Sequence, residues 1–278
     1  MTMARVLLST GSLHVIDVAH CFELAAEAGF DGIEIMCDDR WSTRDPDYLR
    51  TLSGRHGLPV LVAHTPFSRR LQGWPGADQL KRIHYTLELA GQVGAEAVVV
   101  HLPRKVGVVF IDMDGRHVML PWRSPFLPVK RWIEGGLPAA RNGGPVKIAL
   151  ENMPVNRFLG REWDVTWWNT VEAWSRVHAW LTLDTTHWGT KRIDPLAAYR
   201  AARPRVCHVH LSNFDGQEHR LPHRGRLDLG ALLREMAADG YSGTVSVELQ
   251  PEALAFSDAG ALRRNLRDSL AFCREHLN

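Results

Sequence analysis

Eight short aliphatic or β-branched runs recur along the chain, near residues 5–9, 32–36, 59–63, 97–101, 146–151, 180–184, 206–210 and 244–248, and each is followed by a stretch of helical spacing or composition. Parallel strands need a crossover long enough to hold a helix, so this alternation specifies a parallel sheet. Eight units in 278 residues favour closure into a (β/α)8 TIM barrel over an open doubly wound sheet. Helix boundaries are legible as well: Asp17 precedes a helical run that stops at Gly29, and Asp78 precedes one that stops at Gly94. No glycine-rich dinucleotide fingerprint or phosphate loop follows the first strand. The chain reads as one domain over 1–278, with a long connection near 103–145 between the fourth strand and the helix that follows it. Within that connection Val108 to Leu120, around Asp114-Gly115, has the pattern of a β-hairpin.

Composition excludes several classes. With 45% hydrophobic and 23% charged residues the chain matches an ordinary soluble protein, and no run approaches the ~18 apolar residues that span a bilayer. The start lacks the pattern of an export signal, and the four cysteines, Cys21, Cys37, Cys207 and Cys273, are scattered without a CxxC pair. A cytoplasmic location is the expectation. A formal net charge of +2 gives no sign of a nucleic-acid partner. A homo-oligomer is compatible with the sequence.

In a barrel of this kind the chemistry gathers where the strands end. The ends carry His64, His101, Glu151, Asp184, His210 and Glu248. Alternation in Thr244-Val245-Ser246-Val247-Glu248 and in Leu181-Thr182-Leu183-Asp184 turns the polar residues inward and the aliphatic ones toward the helices. Carboxylates crowded inside a barrel mouth repel one another and lose hydration, costs that a divalent cation offsets. Glu151, Asp184, His210 and Glu248 are therefore expected to hold a metal. His187 follows Asp184 by three residues and is placed to reach the same pocket; His219, in the loop after the seventh strand, extends the cluster. Imidazole and carboxylate donors without thiolate suit Zn²⁺, Mn²⁺ or Fe²⁺ better than Ca²⁺.

Taken in order, Val62-Ala63-His64-Thr65-Pro66-Phe67, Val100-His101, Ala149-Leu150-Glu151-Asn152-Met153, Leu183-Asp184-Thr185-Thr186-His187, His208-Val209-His210-Leu211-Ser212-Asn213 and Val247-Glu248-Leu249 resemble the xylose-isomerase-like barrel superfamily over nearly the whole chain. That superfamily includes ketose epimerases, hydroxypyruvate isomerases, inosose dehydratases and the endonuclease IV type of abasic-site endonucleases. The resemblance implies one metal, Mn²⁺ or Zn²⁺, on Glu151, Asp184, His210 and Glu248. It also implies proton transfer by Glu151 and Glu248, and substrate contact by His187. For the endonuclease branch it implies a three-zinc cluster that adds His64, His101, His187 and His219 as ligands. The chain departs from that branch at Gln217, where an aspartate is expected, and neutral Gln is a poor zinc ligand.

The leading expectation is a metal-dependent isomerase or epimerase of a sugar or related polyol ketone, working through an enediolate, with Glu151, Glu248 and His187 catalytic. The alternatives are a multi-metal phosphodiesterase on abasic DNA and a lyase on a keto-sugar. His64, His101, Trp188 and His219 are expected to contact substrate. Tryptophans cluster after strands, at Trp74, Trp122, Trp132, Trp163, Trp167, Trp168 and Trp188, as suits a sugar's C–H faces. Arg69, Arg70, Arg104, Arg157, Arg161, Arg192 and Arg224 allow for an anionic carbohydrate. Glu34 ends the second strand as a further candidate, and His208, two residues deeper than His210, is expected in the core.

Overall fold

The computed structural model describes residues 4–66, 78–113, 116–137, 146–158 and 161–277. Eight parallel strands, β1 (Arg5–Ser9), β2 (Gly32–Met36), β3 (Val60–His64), β4 (Ala97–His101), β5 (Lys147–Glu151), β6 (Leu181–Asp184), β7 (Val206–Leu211) and β8 (Thr244–Val247), pair in sequence order, and β1 closes on β8. This is the expected (β/α)8 barrel, with strand limits within two residues of those read from the sequence.

Local chemistry starts and stops the helices as the sequence implies. The Asp17 carboxylate accepts from the Ala19 amide at 2.8 Å to open helix Val18–Ala28, and Asp78 does the same for Leu80 at 2.9 Å to open Gln79–Val93. Gly29 and Gly94 end them in the left-handed region, at φ 93° and 77°, a backbone conformation that residues with a side chain rarely adopt. Outward-facing strand residues such as Ile33, Val98, Leu183, Val209 and Val247 join Phe22, Leu49, Leu89 and Leu233 from the helices in one buried apolar layer. A smaller apolar cluster of Leu7, Leu61, Val62, Ala97 and Val99 forms separately. Strand alternation leaves Glu34, Thr182, Asp184, His208, His210 and Ser246 facing inward, all fully buried.

The connection after β4 holds the expected hairpin, Val106–Met113 against Arg116–Arg123, in register Met113 to Arg116; Asp114 and Gly115 lie outside the described residues. It continues into a short helix, Leu127–Arg131, that carries Val129 and the preceding Phe126 to the barrel mouth. No described helix is long and apolar enough to cross a membrane.

Candidate metal centre

Three consecutive strand ends are tied together by side-chain-to-backbone hydrogen bonds. Asn152, just past β5, donates to the Asp184 carbonyl at 3.0 Å and accepts from the Asp184 amide at 2.8 Å. Thr185, just past β6, donates from its hydroxyl to the Ser212 carbonyl at 2.6 Å and accepts from the Ser212 amide at 3.0 Å. β6 then turns at once into the helix Thr185–Thr190, capped by Asp184 itself: Oδ1 accepts from the His187 amide at 2.7 Å. One Asp184 oxygen is thus used by the fold. The other, Oδ2, is buried and accepts no hydrogen bond.

Around that oxygen the expected ligands converge. One atom each from Glu151, Asp184, His210 and Glu248 lies within 4.8 Å of the others. His210 Nδ1 is 3.0 Å from Glu151 Oε1, 3.2 Å from Glu248 Oε2 and 3.7 Å from Asp184 Oδ2. Ligands held about 2.0–2.2 Å from one cation are themselves spaced by about 3 Å, so this donor set fits a divalent ion of the Zn²⁺ or Mn²⁺ type. Asp184 Oδ2, a buried acceptor without a donor, is the atom such an ion satisfies. On its far side His210 Nε2 meets Glu34 Oε1 at 2.9 Å.

The remaining expected histidines join the same cluster. His64 Nε2 and His101 Nε2 lie 3.3 Å and 3.0 Å from Glu151 Oε2. His64 Nδ1 bonds the Thr65 carbonyl at 2.6 Å and His187 Nδ1 bonds the Asn152 carbonyl at 2.8 Å. A carbonyl only accepts, so both rings carry a proton on Nδ1. His219 reaches the cluster from the loop after β7 in a left-handed conformation, φ 56°, and stacks edge-on against His187 at 5.5 Å. His64, Glu151 and His210 form a second candidate ligand group, Asp184, His187 and His219 a third, and Glu34, His208 and His210 a fourth.

The carboxylates differ in their electrostatics. Burial acts to raise the Glu151 carboxyl, but His101 and His210 outweigh it and hold the group well below the usual range. Glu248 is raised, because burial dominates and the charges of Glu34 and Glu151 add to it against the pull of His210 and His219. Burial acts to lower His210, yet Glu248, Glu34 and Glu151 lift it well above the ordinary value. Imidazolium charge therefore balances the carboxylates when no metal is bound.

Above the cluster opens a pocket of about 290 Å³, lined by Glu151, Glu248, His64, His101, His187 and His219 among others. Asp184 and His210 lie beneath it, fully buried. Trp188 does not reach it. Successive helix residues point about 100° apart, so the turn that aims His187 inward sends Trp188 into the outer core. There it is fully buried and packs edge-on against Trp174 at 5.5 Å. The expected substrate contact by Trp188 is corrected accordingly. No described tryptophan lines the pocket, whose apolar wall includes Phe126, Met36 and Met153. Phe67, Arg69, Arg70 and Trp74, and the side chains of Trp122 and Arg157, lie outside the described residues.

Arg104 lines the pocket as expected, and so does Arg82, which the sequence reading missed. Its signal was present: Arg82, Ile83, Thr86, Leu89 and Ala90 form the buried face of Gln79–Val93, and an arginine on such a stripe marks a guanidinium turned inward. His208 is a core residue, its Nδ1 bonded to Thr244 Oγ1 at 2.7 Å. Gln217 is exposed; its backbone N–H donates to Asp215 Oδ1 and its side-chain oxygen accepts from Arg220 at 3.2 Å.

Comparison with known proteins agrees with this architecture. An uncharacterized protein of Mycobacterium tuberculosis (strain ATCC 25618 / H37Rv) is 28% identical over 297 residues, covering 98% of both chains. Among solved structures, D-psicose 3-epimerase with D-tagatose from Clostridium cellulolyticum H10 is 17% identical with a TM-score of 0.69 over 99% of each chain. AP endonuclease, family 2, from Brucella melitensis is 18% identical with a TM-score of 0.65, over 98% of this chain and 99% of that one. Residues 22–276 match the model of the xylose isomerase-like TIM barrel, and the chain belongs to that family.

Proposed function

We propose that this protein is a divalent-metal-dependent isomerase or epimerase of a sugar or related polyol ketone. The reading rests on one observation above all: of the four central ligands only Glu151 and Glu248 also line the pocket, while Asp184 and His210 lie beneath it. A carboxylate at that boundary can give one oxygen to the ion and turn the other toward a substrate carbon. When bound, a Mn²⁺ or Zn²⁺ ion on Glu151, Asp184, His210 and Glu248 supplies Lewis-acid polarisation of adjacent carbonyl and hydroxyl oxygens. Glu151, held in its ionised form by its histidines, removes the proton beside the carbonyl. Glu248, whose carboxyl is raised by burial and neighbouring carboxylates in the metal-free protein, returns one to the resulting enediolate. His187 Nε2 is positioned to contact a substrate oxygen, with His64, His101 and His219 beside it. Arg82 and Arg104 in the same wall support an anionic carbohydrate. Four free, buried cysteines support a reducing, cytoplasmic setting.

The test is proton exchange. With the correct ketose in D₂O, product and recovered substrate should carry deuterium on the carbon next to the carbonyl, and substrate deuterated there should show a primary isotope effect. Conversion with neither signal would rule out proton abstraction as the chemical step and sink the reading.

The further ligand groups of His64, Glu151 and His210, and of Asp184, His187 and His219, favour a second reading, a multi-metal phosphodiesterase on abasic DNA. Gln217 in place of the expected aspartate, exposed and bonded to its own loop, and a net charge of +2 weigh against it. A duplex carrying an abasic analogue should show no incision and only weak binding that disappears at moderate salt. Efficient metal-dependent nicking would reverse the order of the two readings.

A further inference from the structure

Among the described residues Glu34 is the one acidic group of the barrel interior that neither lines the pocket nor belongs to the central ligand set, yet it is fully buried. An ionised carboxylate in that position is costly, and an apolar residue of the same volume would serve the core better. Its two oxygens face two histidines: Oε1 lies 2.9 Å from His210 Nε2, and Oε2 lies 3.4 Å from His208 Nε2. His208 is anchored in turn by Thr244 Oγ1 at 2.7 Å. The His210 ring is flanked by His64, near parallel at 5.5 Å, and by His208, perpendicular at 4.9 Å. Its opposite nitrogen, Nδ1, is the one among the carboxylates of Glu151, Glu248 and Asp184.

We infer that Glu34 is a positioning residue for the metal centre: by accepting from His210 Nε2–H it holds the imidazole in the tautomer and orientation that present the Nδ1 lone pair to the ion. A carboxylate only accepts, so the proton of a metal-bound His210 must stand on Nε2, and the negative charge behind it makes Nδ1 the stronger donor. His208 Nε2 stands 3.4 Å from the second carboxylate oxygen without a hydrogen bond to it. The inference rests on the metal reading but concerns a residue outside the ligand set.

Co²⁺ binding to the full-length protein, followed by its visible absorption and by competition with a chelator, measures this directly. Glu34→Gln keeps the shape and an acceptor but loses the charge, and Glu34→Leu loses both. Co²⁺ affinity is expected to fall about 10-fold in the first and about 100-fold in the second, the range typical of a partner behind a metal-ligating histidine. The metal-free melting temperature of Glu34→Gln is expected to stay level or rise, since a buried charge is gone. A purely structural role predicts the reverse, a lower metal-free melting temperature with unchanged Co²⁺ affinity, and that result overturns the inference. Should Glu34→Leu fail to fold, ¹⁵N-histidine NMR of the Zn²⁺-loaded natural protein decides: Nδ1 of His210 metal-bound and Nε2 protonated supports it, and the opposite assignment refutes it. Wild-type protein that takes up no Co²⁺ would remove the metal centre and this inference together, whereas normal uptake in wild type and Glu34→Gln alike would remove only the inference.

Discussion

Glu151→Gln and Glu248→Gln are each expected to lower kcat by about 10²–10⁴-fold, the range carried by a positioned general acid or base. Both should also weaken metal retention, because each side chain belongs to the central ligand set and to the pocket wall. The two variants should nonetheless differ. Glu151 is surrounded by imidazoles, with His210 and His101 each 3.0 Å away, and is held ionised. Glu248 is raised by burial and by neighbouring negative charge. In the direction in which Glu151 takes the proton, Glu248→Gln at saturating metal should still exchange substrate hydrogen with solvent in a single turnover but form no product. Glu151→Gln should do neither. Full activity in either variant would remove the assignment of acid and base, and equal loss of exchange in both would show that the roles are not divided.

Asp184→Asn should release metal without unfolding the barrel. The Asp184 side chain does two things through two atoms: Oδ1 caps the helix Thr185–Thr190 and Oδ2 points unbonded into the ligand cluster. Asparagine caps a helix about as well as aspartate, so the first function survives with the amide oxygen on the His187 N–H. The amide nitrogen then faces the ion and cannot ligate it. Loss of affinity should exceed the ~10–100-fold of a change behind the ligands. Circular dichroism should be unchanged, and the metal-free protein should be no less stable, because one of three crowded carboxylates is neutralised. Elemental analysis alongside a melting curve reads both effects; unfolding with full metal content would mean that Asp184 is a structural residue.

How much of this could be read from the sequence divides along a physical line. Strand alternation specifies which side chains face inward, and Glu151, Asp184, His210 and Glu248 meet because inward residues at the ends of neighbouring strands have nowhere else to go. Depth is another matter. Glu34 and His64 both lie at or near a strand's carboxyl end, but strand tilt and stagger lift His64 into the pocket wall and leave Glu34 behind His210. Periodicity along one strand carries no information about that stagger. Trp188 departs for a different reason: as a residue following a strand it is expected to share the pocket with His187, but Asp184 caps a helix there and its rotation separates them. Arg82 was legible in principle as the charge on an apolar helix face, a signal that is weak until the neighbouring mouth is known.

The central claim is that one divalent ion is held between Glu151, Asp184, His210 and Glu248. An anomalous-scattering map from crystals loaded with Mn²⁺ or Zn²⁺ tests it most directly. A strong peak is expected about 2.0–2.2 Å from a carboxylate oxygen of each acid and from Nδ1 of His210. A map with no peak there, or with the metal bound only at Asp184, His187 and His219 while the central four ligands stay empty, would contradict it.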